Sequence, residues 1–392
     1  ATAALQKNSL LNGQTQKQQQ SQEMKAVWLS YLDLKPMLLD KNDKSVGKAQ
    51  FTKNIQKAFD NIQQLGLNTV IAQVRPFSDA LYESELFPWS YLATGEEGAD
   101  PGFDPLAIMV EQAHQRGLQL HAWVNPYRVR TSATNKQLSS KNPAVKLLKS
   151  GDAIRYNGAV TYDPASKKAQ QLIVDGVREI VEKYDVDGIH FDDYFYPTTE
   201  ESIDAAQFAA SGAADLAAWR RQNVTALVKK VHDTVKTADP TLRFGISPQG
   251  NPDNDLNSQY SDVTAWLAAG GEEQVVDYLC PQIYWGYGYT LQSGSTRFAF
   301  ENITAEWLAL PRAESTALYF GLGAYRIGVG DGGANADSVS QWCTGSALAR
   351  QVTDLRSAGA GGWALYRYGS LFRSDESGLA AAERAALTAL DG

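Results

Sequence analysis

Asp192 closes a short apolar stretch of the chain and is followed directly by a second carboxylate, Asp193. Ile189 and Phe191 alternate there with His190 and Asp192, so a β-strand would place the apolar pair on one face and the polar pair on the other. Burying the polar pair in a plain core without partners would cost several kcal/mol for each ionised group. We therefore expect the polar face to line a cavity in which the carboxylates do acid and base chemistry.

Hydrolysis of a glycosidic bond is the reaction that this pattern favours, because that reaction normally uses two carboxyl groups across the scissile bond. Asp192 has the inward position and is our principal candidate for nucleophile or base, with Asp193 beside it. Asp79, which follows the second predicted strand, is the next catalytic candidate. The general acid is one of Asp79, Glu83 and Glu85, and the sequence does not choose among them.

Other kinds of site have less support. The chain lacks the H-x-H and H-E-x-x-H spacings that bring two imidazoles to one metal ion, and it lacks a G-x-S-x-G nucleophile motif. We therefore expect neither a metal nor another cofactor. Two alternatives of other classes stay open: a metal-dependent carbohydrate deacetylase or amidase, and a non-catalytic glycan-binding barrel.

The elements that must position these residues alternate along the chain, with short apolar stretches between amphipathic helical ones. The predicted strands are Lys25–Tyr31, Asn68–Val74, Leu118–Val124, Asp187–Asp192, Leu242–Ser247, Asp277–Ile283, Thr316–Leu322 and Gly361–Tyr366. The predicted helices are Ala49–Leu65, Pro105–Arg116, Lys167–Tyr184, Ala213–Ala238, Phe298–Leu310, Ser346–Ala358 and Leu379–Leu390. This alternation predicts an α/β fold, a single (β/α)8 TIM barrel over residues 23–392, whose active site lies at the carboxyl ends of its strands.

Alternation along each predicted strand selects the side chains that point into the barrel mouth. In the second strand, Val70, Ala72 and Val74 suit packing against helices, which leaves Gln73 and Arg75 inside. The residues expected to bind substrate, at the strand ends and in the loops that follow them, are Trp28, Arg75, Tyr82, His121, Trp123, Asn125, Tyr127, His190, Tyr194, Gln282, Tyr284, Trp285 and Trp363. Polar and aromatic side chains gathered on one face suit a polyhydroxylated ligand, so we expect a polysaccharide or oligosaccharide partner.

The composition restricts the setting and the partners. A net charge of -8 and a pI near 5.2 argue against a nucleic-acid partner. No run of about 18 apolar residues is present, so no transmembrane segment is expected. Residues 1–22 are rich in glutamine and poor in large apolar side chains, which predicts a disordered polar tether ahead of the barrel. Such a tether is compatible with export.

Short blocks spread along the chain carry a recognisable pattern. They are Lys25–Ser30, Val74–Pro76, Asp79–Tyr82, Pro88–Ser90, His121–Arg128, Gly188–Pro197, Ser247–Pro248 and Pro281–Trp285. They resemble the signature blocks of the glycosyl-hydrolase-like family ten (DUF187), and the resemblance extends from Met24 to the end. It implies a TIM barrel in a secreted or lipid-anchored protein of the bacterial envelope, which hydrolyses amino-sugar glycan strands with peptidoglycan as the expected substrate. The family's acidic positions fall on Asp192, Asp193 and Asp79.

Overall fold

The computed structural model describes residues 22–133 and 137–392, and its centre is a ring of parallel strands. The strands are β1 (Met24–Leu29), β2 (Thr69–Arg75), β3 (Gln119–Val124), β4 (Gly188–Phe191), β5 (Arg243–Ile246), β6 (Tyr278–Leu279 and Gln282–Ile283), β7 (Ala317–Leu318 and Phe320–Gly323) and β8 (Gly362–Tyr366). Apart from its last residue, the tether predicted over residues 1–22 lies outside the described residues and stays a prediction.

The ring closes through β6 and β7, each of which has two segments. The first segment of β6 pairs with β5 and with the first segment of β7, whereas the two second segments pair with each other and β7 continues to β8. The order therefore runs from β1 to β8, with β8 again beside β1, and each of these pairs is parallel. Cys280 and Pro281 separate the segments of β6, where proline has no N–H to donate to a sheet. The predicted (β/α)8 barrel is confirmed.

Helices cover the outside of the ring and connect successive strands. The α-helices are Tyr31–Leu38, Gly47–Gln64, Tyr91–Thr94, Pro105–His114, Pro143–Lys149, Lys167–Lys183, Ala205–Ser211, Leu216–Ala238, Pro252–Asn254, Val263–Ala268, Phe300–Ala309, Ala347–Ser357, Tyr368–Phe372 and Leu379–Ala389. All the predicted helices are present, with ends that differ by a few residues. Three of them begin at side-chain caps, Asp104, Ser166 and Asp215, which accept backbone N–H bonds in the first turn. Among the described residues, no helix has both the length and the apolar character needed to cross a membrane.

Seven of the fourteen α-helices among the described residues and a small antiparallel sheet were not predicted. The helix Val263–Ala268 connects β5 to β6, and a three-stranded antiparallel sheet follows β3. The strands of this small sheet are Arg128–Arg130, Ala153–Tyr156 and Ala159–Tyr162. Strands this short show too few alternations to stand out from loop sequence.

The strand side chains alternate between two layers. Those that face the helices form the main apolar core, whereas a smaller cluster fills the inside of the ring. The inner cluster consists of Met24, Ala26, Trp28, Ile71, Trp123, Tyr278, Cys280, Tyr319 and Ala364. Gly245 makes room for this cluster, because a Cβ at that position would overlap the ring of Tyr278. Packed aromatic rings thus form a floor beneath the carboxyl ends of the strands.

Candidate active site

The carboxyl ends of the strands surround a cavity of about 300 Å³, which we call the inner pocket. It is lined by Trp28, Trp123, His190, Asp192, Asp193, Tyr194, Ser247, Gln282, Tyr284, Tyr325 and Tyr366. Strand β4 ends at Phe191, so the two aspartates are the first residues beyond it and enter the pocket together. The strand-end residues Trp28, Trp123, His190, Gln282 and Tyr284, which were predicted to bind substrate, meet there.

Asp192 is held by N–H donors on both of its oxygens. The Trp123 Nε1–H donates to Oδ2 at 3.0 Å, and the Tyr194 amide donates to Oδ1 at 3.3 Å. Burial raises the pKa of Asp192 to about 7, with Arg128 opposing the shift and Asp193 adding to it. The two N–H bonds stabilise the anionic form of Asp192, whereas burial favours its protonated form. The aspartate pair can therefore keep a proton near neutral pH.

Asp193 occupies the border of the inner pocket. The Gln282 Nε2 donates to its Oδ1 at 3.0 Å and also to the Ser247 carbonyl at 3.0 Å, which fixes the amide between β5 and β6. Burial raises the pKa of Asp193 above its usual value, and hydrogen bonds from Gln282 and Gln249 oppose part of this shift. Asp193 also lines a second cavity, so its carboxyl group lies where the two cavities meet.

That second cavity, of about 390 Å³, is called the side pocket. It is lined by Asp193, Gln249, Gly250, Asn251, Asn254, Gln282, Tyr284, Trp285, Tyr289, Leu291, Phe298, Tyr325 and Arg326. Trp285 stacks on Phe298 with ring centres 5.1 Å apart, and Tyr289 lies 6.0 Å from Trp285. Trp285, predicted as a binding residue, is therefore in this cavity and not in the inner pocket.

A chain of hydrogen bonds runs beneath the inner pocket. Trp28 Nε1–H donates to His190 Nε2 at 3.1 Å, so a neutral His190 carries its proton on Nδ1 and donates to the Tyr278 hydroxyl at 2.9 Å. Tyr278 in turn donates to His121 Nδ1 at 3.0 Å. Burial lowers the pKa of His121 to about 3 and that of His190 well below its usual range, so both rings are neutral. His121 is consequently part of the floor and does not line the pocket.

Arg75 was predicted to point into the barrel mouth, but a β-bulge redirects it. The pairing of β2 with β3 shifts register between Gln73 and Arg75, which breaks the alternation there. The fully buried Arg75 guanidinium lies over the ring of Phe87, 4.5 Å from its centre, within the outer apolar core. Tyr82 is buried in the same layer against Tyr184. Neither Arg75 nor Tyr82 lines the inner pocket.

Asp79 is also buried away from the pocket. Arg130 lies 3.6 Å from the Asp79 carboxylate and forms an ion pair with Glu97. Asn142 donates to Glu97 at 2.9 Å and to the Ser78 carbonyl at 2.8 Å. Burial raises the pKa of Asp79 to about 7, Arg130 opposes this shift, and Glu97 adds to it. These groups, named here the strand-2 cluster, are Ser78, Asp79, Glu97, Arg130, Asn142 and Tyr162, and they fasten the loop after β2 to the small sheet.

The loop after β3 brings a cation to the pocket. Asn125 Oδ1 accepts the amide N–H of Arg128 at 3.1 Å, and the Arg128 guanidinium lies 5.1 Å from the ring centre of Tyr194. Asn125 itself is buried, as is Tyr127, whose ring packs on Phe195. Asn125 and Tyr127 thus support the loop instead of lining the pocket, while Arg128, which was not among the predicted site residues, acts on the charge of the aspartate pair.

From the sequence, the wrong side chains of β8 were assigned to the inside of the barrel. Trp363 packs in the outer core and donates to Glu23 at 3.0 Å, because Ala364 and Tyr366 have the inward positions. Tyr366 therefore lines the inner pocket and was missed. Tyr325, in the 3-10 helix Ala324–Arg326 after β7, was missed as well, since strand alternation does not indicate the direction of a residue outside the strands.

No third carboxylate accompanies the aspartate pair among the described residues that line the inner pocket. Glu83 and Glu85 are exposed, and residues 1–21 and 134–136 contain no Asp or Glu. Within residues 22–133 and 137–392, no group of three or more His, Cys, Asp or Glu side chains is arranged to hold a metal ion. A larger groove of about 660 Å³ lies between the helices Leu216–Ala238 and Val263–Ala268, in the outer layer and away from the strand ends.

Comparison with known proteins gives a consistent picture of family and fold. The family model described as glycosyl hydrolase-like 10 matches residues 23–338. Glycosyl hydrolase YngK of Bacillus subtilis is 34% identical over 358 residues, which are 86% of this chain and 66% of YngK. Glycosyl hydrolase DigH of Escherichia coli K12 is 36% identical over 342 residues, which are 79% of this chain and 75% of DigH. The chain thus spans just under two thirds of YngK and three quarters of DigH.

Solved structures support the barrel. The glycoside hydrolase domain of PgaB (BpsB) from Bordetella bronchiseptica superposes with a TM-score of 0.60 at 14% identity, covering 93% of this chain and 99% of that domain. The catalytic domain of a β-amylase from Paenibacillus polymyxa superposes with a TM-score of 0.57 at 11% identity, and the match covers 95% of this chain and 99% of that domain. Identities this low speak for the fold alone, whereas the family match extends over most of the sequence. The chain belongs to the glycosyl hydrolase-like 10 family.

Proposed function

We propose that this protein is a glycoside hydrolase that cleaves amino-sugar glycan strands of the bacterial cell wall, with peptidoglycan as its substrate. The observation that carries the proposal is the entry of Asp192 and Asp193 together into a polar, aromatic pocket at the carboxyl ends of the barrel strands. Membership of a glycosyl hydrolase-like family supports the reaction class. An extracytoplasmic location, where such a substrate lies, is part of the same proposal.

The two cavities suggest where each sugar binds. The inner pocket would hold the sugar whose anomeric carbon is attacked, and the side pocket the sugar that leaves. Asp193 lies at their border, within the region that the bridging oxygen must occupy, so we assign to it the proton that goes to the leaving oxygen. Asp192 belongs to the inner pocket alone, and N–H bonds on both of its oxygens favour the anion, as a nucleophile or base requires.

Aromatic and amide groups supply the contacts that a sugar needs. Tyr284 and Tyr366 stack with ring centres 5.6 Å apart, and Tyr325 stands at 90° to Tyr284. Their ring faces and hydroxyls suit the mixed apolar and polar surface of a pyranose. Trp28 and His190, held by the hydrogen-bond chain below, keep the floor rigid.

The decisive experiment is product analysis. The protein is incubated with intact peptidoglycan and with peptide-free glycan strands, and the products are measured by mass spectrometry. We expect shorter strands produced by cleavage of glycosidic bonds. Each cleavage should add the mass of one water to the summed mass of the two products. Release of acetate or peptide without shortening would instead identify a deacetylase or amidase, and sensitivity to a chelator would support that alternative. Binding without any product after long incubation would identify a non-catalytic barrel.

A further inference from the structure

The side pocket contains one cationic side chain, Arg326, among the described residues that line it. Its Nε donates to the Tyr284 carbonyl at 3.1 Å, and its guanidinium lies 4.7 Å from the ring centre of Tyr325. These two contacts hold the group in place while using only one of its five N–H donors. Arg326 is half-buried, so its terminal nitrogens are directed by the protein but remain open to a ligand.

Arg326 has no carboxylate counter-ion in the protein. Within the part of the chain that the structure describes, no carboxylate lies within ion-pair distance of it, and the remaining residues contain no acid. A neighbouring arginine shows the contrast: Arg297, beside Phe298 of the same pocket, is paired with both Asp253 and Glu306. A positioned guanidinium without a counter-ion in a cavity wall is suited to a planar anion, which it can bind through two parallel N–H bonds.

The rest of the side pocket determines what kind of anion fits. Trp285 and Tyr289 offer ring faces, and Gln249, Asn251 and Asn254 offer amides, so the lining suits a sugar instead of an isolated ion. The aspartate pair, of which Asp193 lies at the border, keeps one negative charge in the proposed active form and repels an anion placed near it, which favours an anion held toward Arg326. The ligand that satisfies both conditions is a sugar with a carboxylate on a short side arm.

From these observations we infer that the side pocket is a subsite for a carboxylate-bearing amino sugar and that Arg326 is the residue that selects it. The inference rests on the proposed function, because the sugar in the side pocket is the one released by hydrolysis. It adds that the protein distinguishes strands with a free carboxylate from neutral strands of the same backbone. Peptide-free strands of alternating N-acetylglucosamine and N-acetylmuramic acid carry such a carboxylate, on the lactyl arm.

The test compares two matched substrates. Peptide-free strands are used as isolated, and a second sample has its lactyl carboxylates reduced to alcohols. For the unchanged protein we expect kcat/KM to be roughly 10- to 100-fold higher on the acidic strands, as charge-assisted bidentate bonds typically give. Arg326→Gln should remove this preference, mainly by raising KM on acidic strands, so its loss of kcat/KM on acidic strands should be much larger than its loss on reduced strands. Arg326→Lys should retain part of the preference.

Arg297→Gln is the matched control, because it removes an arginine charge beside the same pocket whose partners are already in the protein. It should retain the substrate preference. Equal kcat/KM on both substrates for the unchanged protein, or equal losses on both in Arg326→Gln, would overturn the inference and leave the hydrolase proposal intact. If no strand is cleaved at all, the hydrolase proposal fails. Calorimetric binding of the two strand samples then decides: carboxylate-dependent affinity that Arg326→Gln abolishes supports the subsite, and its absence refutes it.

Discussion

The aspartate pair after β4 and the strand-2 cluster after β2 share two features but differ in their access to a cavity. Asp192 and Asp79 each follow a barrel strand, and burial raises the pKa of each to about 7. Asp192, however, lines a cavity with a second carboxylate beside it, whereas Asp79 faces Arg130 and Glu97 in a closed layer. A raised pKa therefore reports burial, and only access to a cavity separates a candidate catalytic acid from a structural one.

The largest expected difference is in activity. Asp192→Asn should lower kcat on glycan strands by about three orders of magnitude or more, because the amide cannot act as nucleophile or base. Asp79→Asn should stay within a fewfold of the unchanged protein, since Asp79 contacts no part of the inner pocket. Far-ultraviolet circular dichroism of both variants checks that they fold. Full activity in Asp192→Asn, or an equal collapse in folded Asp79→Asn, would reverse the comparison.

The next effect separates the two members of the pair. Asp193→Asn should lower hydrolysis of native strands by roughly 100- to 10,000-fold, which is the usual contribution of a proton donor. It should have far less effect on a glycan that ends in 4-nitrophenol, because the phenolate leaves without a proton. Asp192→Asn should be inactive on both substrates. A loss of equal size on both in Asp193→Asn would assign the proton to another group.

The pH profile provides the control for that assignment. Burial raises the pKa of both aspartates, and in the proposed mechanism the active form of the pair holds one proton. Above the pKa at which the pair loses this proton, kcat/KM on native strands should fall by about tenfold for each further pH unit, because only the protonated fraction is active. The fall should disappear with the 4-nitrophenol substrate. A flat profile between pH 6 and pH 9 on native strands would contradict the proposed shared proton.

The smallest effect on chemistry, but a large one on folding, is expected in the strand-2 cluster. Arg130→Ala leaves Glu97 and Asp79 buried without their cation, which typically costs about 3–5 kcal/mol in the free energy of unfolding. Arg155→Ala, an exposed position of the same small sheet, should change it by less than about 0.5 kcal/mol. Urea denaturation measures the change in the free energy of unfolding for both variants. At urea concentrations below its unfolding transition, Arg130→Ala should have a kcat near that of the unchanged protein.

Sequence reasoning located the barrel and the floor of the site, because regular alternation of apolar and polar residues survives in most strands. Trp28, Trp123 and His190 were identified in this way. Prediction of the inward-facing side chains fails where this alternation is broken. The β-bulge after Gln73 sends Arg75 outward, and bulges leave no mark in a single sequence.

The β8 segment shows a second kind of limit. Trp363, Ala364, Leu365 and Tyr366 are apolar or aromatic on both faces, so alternation could not tell which face is inside. Arg326 lies in a short 3-10 helix, Ala324–Arg326, and is positioned by the Tyr284 carbonyl from another segment and by the ring of its neighbour Tyr325. Such tertiary contacts cannot be inferred from spacing along the chain.

The hydrogen-bond chain from Trp28 through His190 and Tyr278 to His121 has a consequence for how the protein responds to acid. Each imidazole already uses its lone pair to accept a bond from a neighbour, so gaining a second proton would cost that bond as well as desolvation. Histidine, elsewhere the usual sensor of mildly acidic conditions, is silent in the interior of this barrel. Any response of the candidate active site to mild acidity therefore depends on its carboxylic acids.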